Sequence, residues 1–401
     1  MSRRESTRRL MRNGPEISRV SSDPLRITVW MNVPSFHQDG LFRAIAGSGK
    51  VDLRVVFARD LNIERRAMGW SSSIGEYPHQ TLANGKLSIL TAMQIVWRER
   101  RRIHIVNGLW AEPAFSLALL TMSLMRCRYA VYAEPSSPDV RRSRWKQLLH
   151  RGFGRWIGSR KNASLLPISR AGERFYQEMG FRPTATYPFA YFQPHPTNLS
   201  KAARISRSSE VSMVFVGQLI PRKGLDLLLD AFAPLFVQKQ GVRLTVVGDG
   251  PLSLELKARA AGLGLGEAVS FEGTIPAGEV RARVASHDVL VLPSRWDGWG
   301  MVVNEAFSVG VPVIVSDRCG ASDLIVNGVN GFTFESGSVG ALSDRLCQFA
   351  GLPPDSRMVE EALATGLLIT AHKAASYLIN CVEHMIGVVE SKPVPPWLLE
   401  E

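Results

Sequence analysis

From residue 26 to about residue 350, short apolar runs alternate with stretches whose apolar positions recur at helical spacing. In the first half the runs predict strands at 26–33, 51–57, 102–106, 129–133 and 164–168, with a further candidate at 185–189. Most are rich in β-branched or aromatic residues. Several are apolar on both faces, as strands buried inside a parallel sheet are. The segments between them suit crossover helices; one, at 171–179, runs into Gly180, a good left-handed stop. Residues 194–209 break the pattern with Pro194, Pro196 and Asn198, then Ser, Lys and Arg, and read as a linker. The alternation resumes with strands at 211–216, 243–247, 269–271, 288–292 and 312–316. A last helical pattern at 370–389 puts Ala374, Leu378, Val382 and Met385 on one face.

The expected class is α/β, with two doubly wound parallel-sheet, Rossmann-like domains facing across a cleft. The expected boundaries are a disordered basic tail at 1–25, an N-terminal domain at 26–193 and the linker at 194–209. A C-terminal domain follows at 210–369, then a helix and tail at 370–401 that could cross back to the first domain.

Composition narrows this picture. Of 401 residues, 45% are hydrophobic and 21% charged, which excludes a disordered, collagen-like or disulfide-scaffold chain. The longest uncharged apolar stretch, 113–125, has 13 residues, short of the roughly 20 that span a bilayer. Cys127, Cys319, Cys347 and Cys381 form no C-x-x-C pair, so neither a zinc site nor a disulfide framework is expected, and the cytoplasm is the natural setting. The N-terminal arginines precede no apolar segment and do not make a secretory signal. Net charge is +12, concentrated in that tail and in 141–161, which holds eight Lys or Arg and no acid. Such a field suits nucleic acid, an anionic membrane surface or a phosphorylated small molecule.

Two segments carry candidate chemistry. In 214–224 (VFVGQLIPRKG) a strand closes at Gly217 and a helix opens near Lys223 and Gly224. Free backbone N–H groups and a helix dipole there, beside Arg222 and Lys223, would hold a diphosphate. A solvated basic helix start is the equal alternative. In 293–305 (PSRWDGWGMVVNE) a glycine-bearing loop leads into a helix that ends at Gly310. Glu305 sits among Val302, Val303, Ala306 and Phe307, where an unpaired carboxylate costs several kcal/mol; ligand hydroxyls or a neighbouring Arg or amide would satisfy it. Asp297, in the loop, could face the same cleft or merely cap a turn.

These segments, with 247–251 (VGDGP), 271–274 (FEGT), 310–315 (GVPVIV), 320–325 (GASDLI) and 330–332 (NGF), resemble the GT-B-fold retaining glycosyltransferases of family four, the bacterial group one type. The likeness covers nearly the whole second half in order and spacing. The resemblance implies that Lys223 and Arg222 grip the donor diphosphate, Glu305 holds the donor ribose and Asp297 contacts the transferred sugar. It further implies that Gly217 and the amides of Gly300, Met301 and Val302 lie against phosphate or sugar, and that Gly273 and Thr274 edge the base pocket. Asp297 stands where the family usually has Glu, and Gln218 follows Gly217 where many relatives have Arg. The implied reaction moves a sugar from a nucleotide-diphosphate sugar to a carbohydrate or lipid-linked hydroxyl, in polysaccharide or glycolipid synthesis. No cofactor or metal is expected; there is no Asp-x-Asp motif. A sugar-nucleotide epimerase of the same fold, or a degenerate nucleotide-sugar-binding protein, is the alternative.

On the acceptor side, the loop 32–40 and Glu134 after the fourth strand should open into the cleft. His37, Asp39 and Glu134 are then candidates to orient or deprotonate an acceptor hydroxyl, with a backbone-bonded loop histidine the alternative for His37. His104, inside a strand, reads as core. Trp145, Leu148, Leu149, Phe153, Trp156 and Ile157 share a helical face amid the basic stretch. Packing on the first sheet is favoured for that face, with contact to the inner membrane surface through the charges compatible. No motif supports nucleic acid.

Overall fold

The computed structural model describes residues 23–61, 75–82, 86–110, 112–137, 143–193, 210–353 and 357–397. The linker at 194–209 and most of the N-terminal tail lie outside these. The first unit runs β1 (Leu25–Met31), α1 (Phe36–Gly47), β2 (Val51–Phe57), β3 (His79–Thr81), α2 (Lys86–Arg98), β4 (Ile103–Asn107), α3 (Pro113–Leu124), β5 (Tyr129–Ala133), α4 (Arg144–Gly158), β6 (Ala163–Pro167) and α5 (Ser169–Glu178). The second runs β7 (Val211–Val216), α6 (Leu225–Gln238), β8 (Val242–Val247), α7 (Ser253–Gly262), β9 (Val269–Gly273), α8 (Val280–Ala285), β10 (Val289–Leu292), α9 (Met301–Ser308), β11 (Val313–Ser316), β12 (Gly331–Phe334) and α10 (Val339–Ala350). It closes with α11 (Met358–Leu368) and α12 (Ala371–Ile386).

Both sheets are parallel and have six strands, ordered β3-β2-β1-β4-β5-β6 and β9-β8-β7-β10-β11-β12. The order of each reverses beside its first strand, which leaves a crevice at the carboxyl ends between β1 and β4, and between β7 and β10. The central strands are buried on both faces, as their apolar composition requires: β5 and β10 are buried throughout. His104 in β4 is fully buried and its Nδ1 accepts the Trp30 indole N–H at 3.2 Å, a core position.

Two edge strands escape the apolar pattern. β3 is His-Gln-Thr, exposed along its length, and β12 begins at Gly331, where a side chain would strike the Val313 carbonyl of the adjacent strand. The candidate strand at 185–189 is instead a 3-10 turn (Pro183–Ala185) followed by two isolated bridges from Thr186 and Phe189 to Leu165 and Ile168. Pro183 and Pro188 lack the N–H groups that a continuous ladder needs.

The chain crosses between units at Gln193 and Thr370, which bridge each other; Ala371 N donates to Gln193 O at 2.9 Å. Thr370 caps α12, and Gly387 in the left-handed region ends it. α12 packs on α1, so one apolar core runs from the first sheet through Phe189, Phe192 and Tyr377 to Trp299 and Phe307 of the second unit.

Candidate active site

Arg222 and Lys223 lie in a 3-10 turn after β7, and Gly224, at φ 68°, caps α6 behind them. A side chain at Gly224 would collide with the Pro293 carbonyl, so glycine here lets the β7 and β10 turns touch. Arg295 fastens that approach. Its guanidinium grips both oxygens of Asp226 at 2.6 and 2.8 Å, and its amide donates to Arg222 O at 2.8 Å.

The result is that Asp297, from the β10 loop, meets Lys223 Nζ at 2.5 Å, with Arg222 Nη1 3.7 Å away. Asp297 and Lys223 are only 13% and 16% exposed, so the pair lies inside the crevice between β7 and β10 and not on the surface. Arg222 also donates to the Trp296 carbonyl at 3.0 Å. Gly217 follows β7, beside the Lys223 stem. Gly273, at φ 74°, ends β9, its carbonyl receiving the Gly248 N–H at 2.7 Å; Thr274 follows it.

Gly300 caps the start of α9, and its φ of 95° and close contacts leave no room for a β-carbon: Cys319 Sγ would be 2.5 Å away and Leu292 Cδ2 2.9 Å. Met301 and Val302 open the helix, so their amides form its free N-terminal end. Glu305 is buried on this helix, and its carboxylate has no hydrogen bond among the described residues. Burial pushes its pKa up to about 7, with Arg281 a smaller opposing influence.

Across the cleft, Glu134 follows β5. Its Oε1 accepts the Tyr191 hydroxyl at 2.7 Å, and Oε2 stands so close to Gly298 that a side chain there would collide with it. Burial raises the Glu134 pKa; the Tyr191 hydrogen bond opposes this and Asp297 adds to it, so the two carboxylates sense each other across the cleft. A cavity of about 530 Å3 extends from here into the crevice between β1 and β4, lined by Asn32, His37, Gln38, Trp110, Tyr191 and, from the second unit, Met301. Burial lowers the His37 pKa to about 4, so the ring is neutral at neutral pH.

Asp39 does not join this group. Its carboxylate accepts from Arg43 Nε at 2.5 Å, the Gly75 amide at 2.8 Å and the Tyr77 hydroxyl at 3.0 Å, which fixes the start of α1. The expectation that it faces the cleft is corrected: one residue beyond Gln38 on a helix turns it about 100° away from the cavity. Tyr191 and Asn304 were not singled out in the sequence. Asn304 accepts the Trp299 indole N–H and donates to Tyr191 O, both at 2.7 Å, and so ties the β10 loop to the first unit. A buried amide next to Glu305 was a readable signal; Tyr191 carried none.

Among the described residues no three His, Cys, Asp or Glu side chains converge as a metal site, and no helix is long and apolar enough to cross a membrane. The favoured packing for the α4 apolar face holds only at its C-terminal end. Ile157 is buried, but Trp145, Leu148 and Leu149 are 60%, 67% and 59% exposed.

Residues 199–364 match the family model described as glycosyl transferases group 1. The chain is 29% identical over 273 residues to the GDP-mannose-dependent alpha-(1-6)-phosphatidylinositol monomannoside mannosyltransferase of Mycobacterium tuberculosis, covering 63% of this chain and 69% of that protein. It is 31% identical over 200 residues to the D-inositol 3-phosphate glycosyltransferase of Segniliparus rotundus, covering 46% and 44%. The crystal structure of Anabaena HepE with UDP and glucose shares the fold, with a TM-score of 0.66 at 17% identity over 90% of this chain and 99% of that one.

Proposed function

Because this chain is a GT-B-fold glycosyltransferase with a group 1 glycosyl transferase domain, we propose that it transfers a sugar from a nucleoside-diphosphate sugar to an acceptor hydroxyl with retained anomeric configuration. The observation that carries the proposal is the meeting of Lys223 and Asp297 at the crevice between β7 and β10, with Glu134 facing them. In the loaded site Lys223 and Arg222, with the amides at the start of α9, hold the donor diphosphate and stabilise the charge that grows on it as the sugar leaves. Asp297, released from Lys223, accepts from a hydroxyl of the sugar. Glu305, which has no hydrogen-bond partner among the described residues, accepts from the ribose hydroxyls.

The acceptor lies in the cavity beneath His37 and Trp110, whose mix of amides and aromatic rings suits a sugar. Glu134, with its raised proton affinity, orients its hydroxyl and takes its proton. The site cations supply the charge that a metal would, so EDTA is expected to leave the rate unchanged. Relatives named for phosphatidylinositol mannoside and colanic acid synthesis make a glycolipid or polysaccharide acceptor the first to try. Trp145, Leu148 and Leu149, exposed beside Arg144, Lys146 and Arg151 on α4, would set the enzyme on an anionic membrane surface at the cytoplasmic face.

The donor is found by thermal shift against GDP-, UDP-, ADP- and dTDP-sugars. A donor at about 100 times its Kd adds roughly 2.7 kcal/mol. One sugar nucleotide should stabilise the wild type and lose that effect in Lys223→Ala and Glu305→Ala. Stabilisation that survives in both folded variants would remove the proposed site.

A further inference from the structure

The pole of the N-terminal unit opposite the cleft carries charge that the proposed reaction does not use. A cavity of about 850 Å3 lies at the N-terminal ends of the strands. Four neighbouring strands there each bring a cation: Lys50 before β2, Arg26 in β1, Arg101 before β4 and Arg128 before β5. Strands in a sheet are about 4.8 Å apart, so these cations form a row roughly 15 Å long. Arg126 adds a fifth from the turn after α3, with its backbone held at φ 58°. Among the described residues, none of the five side chains makes a hydrogen bond or ion pair.

Arg102, in the same wall, shows the contrast. It is buried and committed to Asp52 (2.5 Å), the Thr28 hydroxyl (2.9 Å) and the Ile27 carbonyl (2.9 Å), and so belongs to the scaffold. The five cations line the basin with Arg100, which is bonded to the Trp97 carbonyl, and Asp23 and Glu383 are the acids lining it; of the five, Arg26 also lies near enough to Asp52 to help hold its carboxyl below the usual range. Like charges gathered this way repel, and a bound anion would relieve them. Four of the five are arginines, whose planar fork takes phosphate oxygens in pairs.

We propose that this basin binds an extended anion bearing several phosphoryl groups, an oligophosphate or its ester. Glu383, Ile386 and Val388 close one side of it, so the occupant would also touch the end of α12, the helix that returns from the second unit to pack on α1.

The test is calorimetric titration of the full chain with tripolyphosphate at constant ionic strength, in an Arg222→Ala, Lys223→Ala background that removes both cationic side chains of the cleft's phosphate site, so that binding there is weakened and the basin's is read. Saturable binding is expected. It should weaken about tenfold for each guanidinium lost in Arg101→Glu and Arg128→Glu. Arg126→Gly should also weaken it without lowering the melting temperature, because glycine suits that backbone conformation. Titrations unchanged by these substitutions would overturn the site. Equal binding of trigalacturonate would overturn the preference for phosphate. Tighter binding of a single-stranded oligonucleotide through the same arginines would replace the small anion with a nucleic-acid surface.

Discussion

Glu305 is a carboxylate buried on an apolar helix face without a hydrogen-bond partner among the described residues, and it leaves a measurable trace in stability. Its folded pKa, about 7, lies above the ordinary value of 4.5, so the native state keeps a proton that the unfolded chain releases. Its contribution is therefore full below about pH 4.5 and is lost as pH rises through 7, at a cost of about 3 kcal/mol when fully ionised. Glu305→Gln should flatten that dependence and stabilise the protein at pH 8, while weakening donor binding about tenfold or more. Denaturant melts from pH 4.5 to 8.5 check this; a variant that follows the wild-type pH curve contradicts the assignment. At the acceptor, Glu134→Gln should abolish turnover and leave donor affinity within about twofold, because its hydrogen bond to Tyr191 survives as an amide. Equal loss of donor affinity would move Glu134 out of the acceptor role. Glu305, Lys223 and Asp297 were picked out as candidates because each sits in a segment that resembles a family motif, and the structure brings Lys223 and Asp297 together. Asp39 misled because a helix turns adjacent side chains apart, and the loop pattern did not show where the helix began.

At the scale of elements, the site depends on two turns that only glycine allows to approach. Gly224→Ala would drive a β-carbon into the Pro293 carbonyl from a left-handed backbone, and should cost about 2 kcal/mol or more and separate Lys223 from Asp297. Chemical denaturation reads the first effect and donor affinity the second; loss of neither would mean that the turns are not in contact. The exposed part of α4 predicts the reverse separation. Trp145→Ser, Leu148→Ser and Leu149→Ser together should leave the melting temperature nearly unchanged and reduce sedimentation with anionic vesicles. Most strands were legible because β-branched runs buried on both faces announce a parallel sheet. β3 and β12 were not, since an exposed polar edge and a glycine packed on a neighbouring backbone carry no apolar period. The α4 face was misjudged over its first half because periodicity shows that a face is apolar but not what covers it.

For the molecule as a whole, the two units are joined by contacts that no local pattern reveals. Asp323 reaches from the second unit to accept the amide of Arg170 at 2.5 Å, capping α5 of the first, where Ser169 is held at φ 69°. Asp323→Ala should cost about 1–2 kcal/mol, in the range of a lost helix cap, and loosen the closed arrangement in solution scattering. The basic basin was likewise invisible, because its cations stand before separate strands and meet only through strand order. What the sequence did show at this scale, two doubly wound halves with the candidate site residues at the carboxyl ends, follows from alternation and a single topological rule. The measurement closest to the central claim is an acceptor-dependence assay. Nucleoside diphosphate release and product anomeric configuration are followed by NMR, with and without a glycolipid acceptor, in wild type and Lys223→Ala. Release that requires acceptor, gives the donor's anomeric configuration and falls at least about a hundredfold in the variant is the predicted result. Donor consumption without acceptor, or an inverted product, would contradict it.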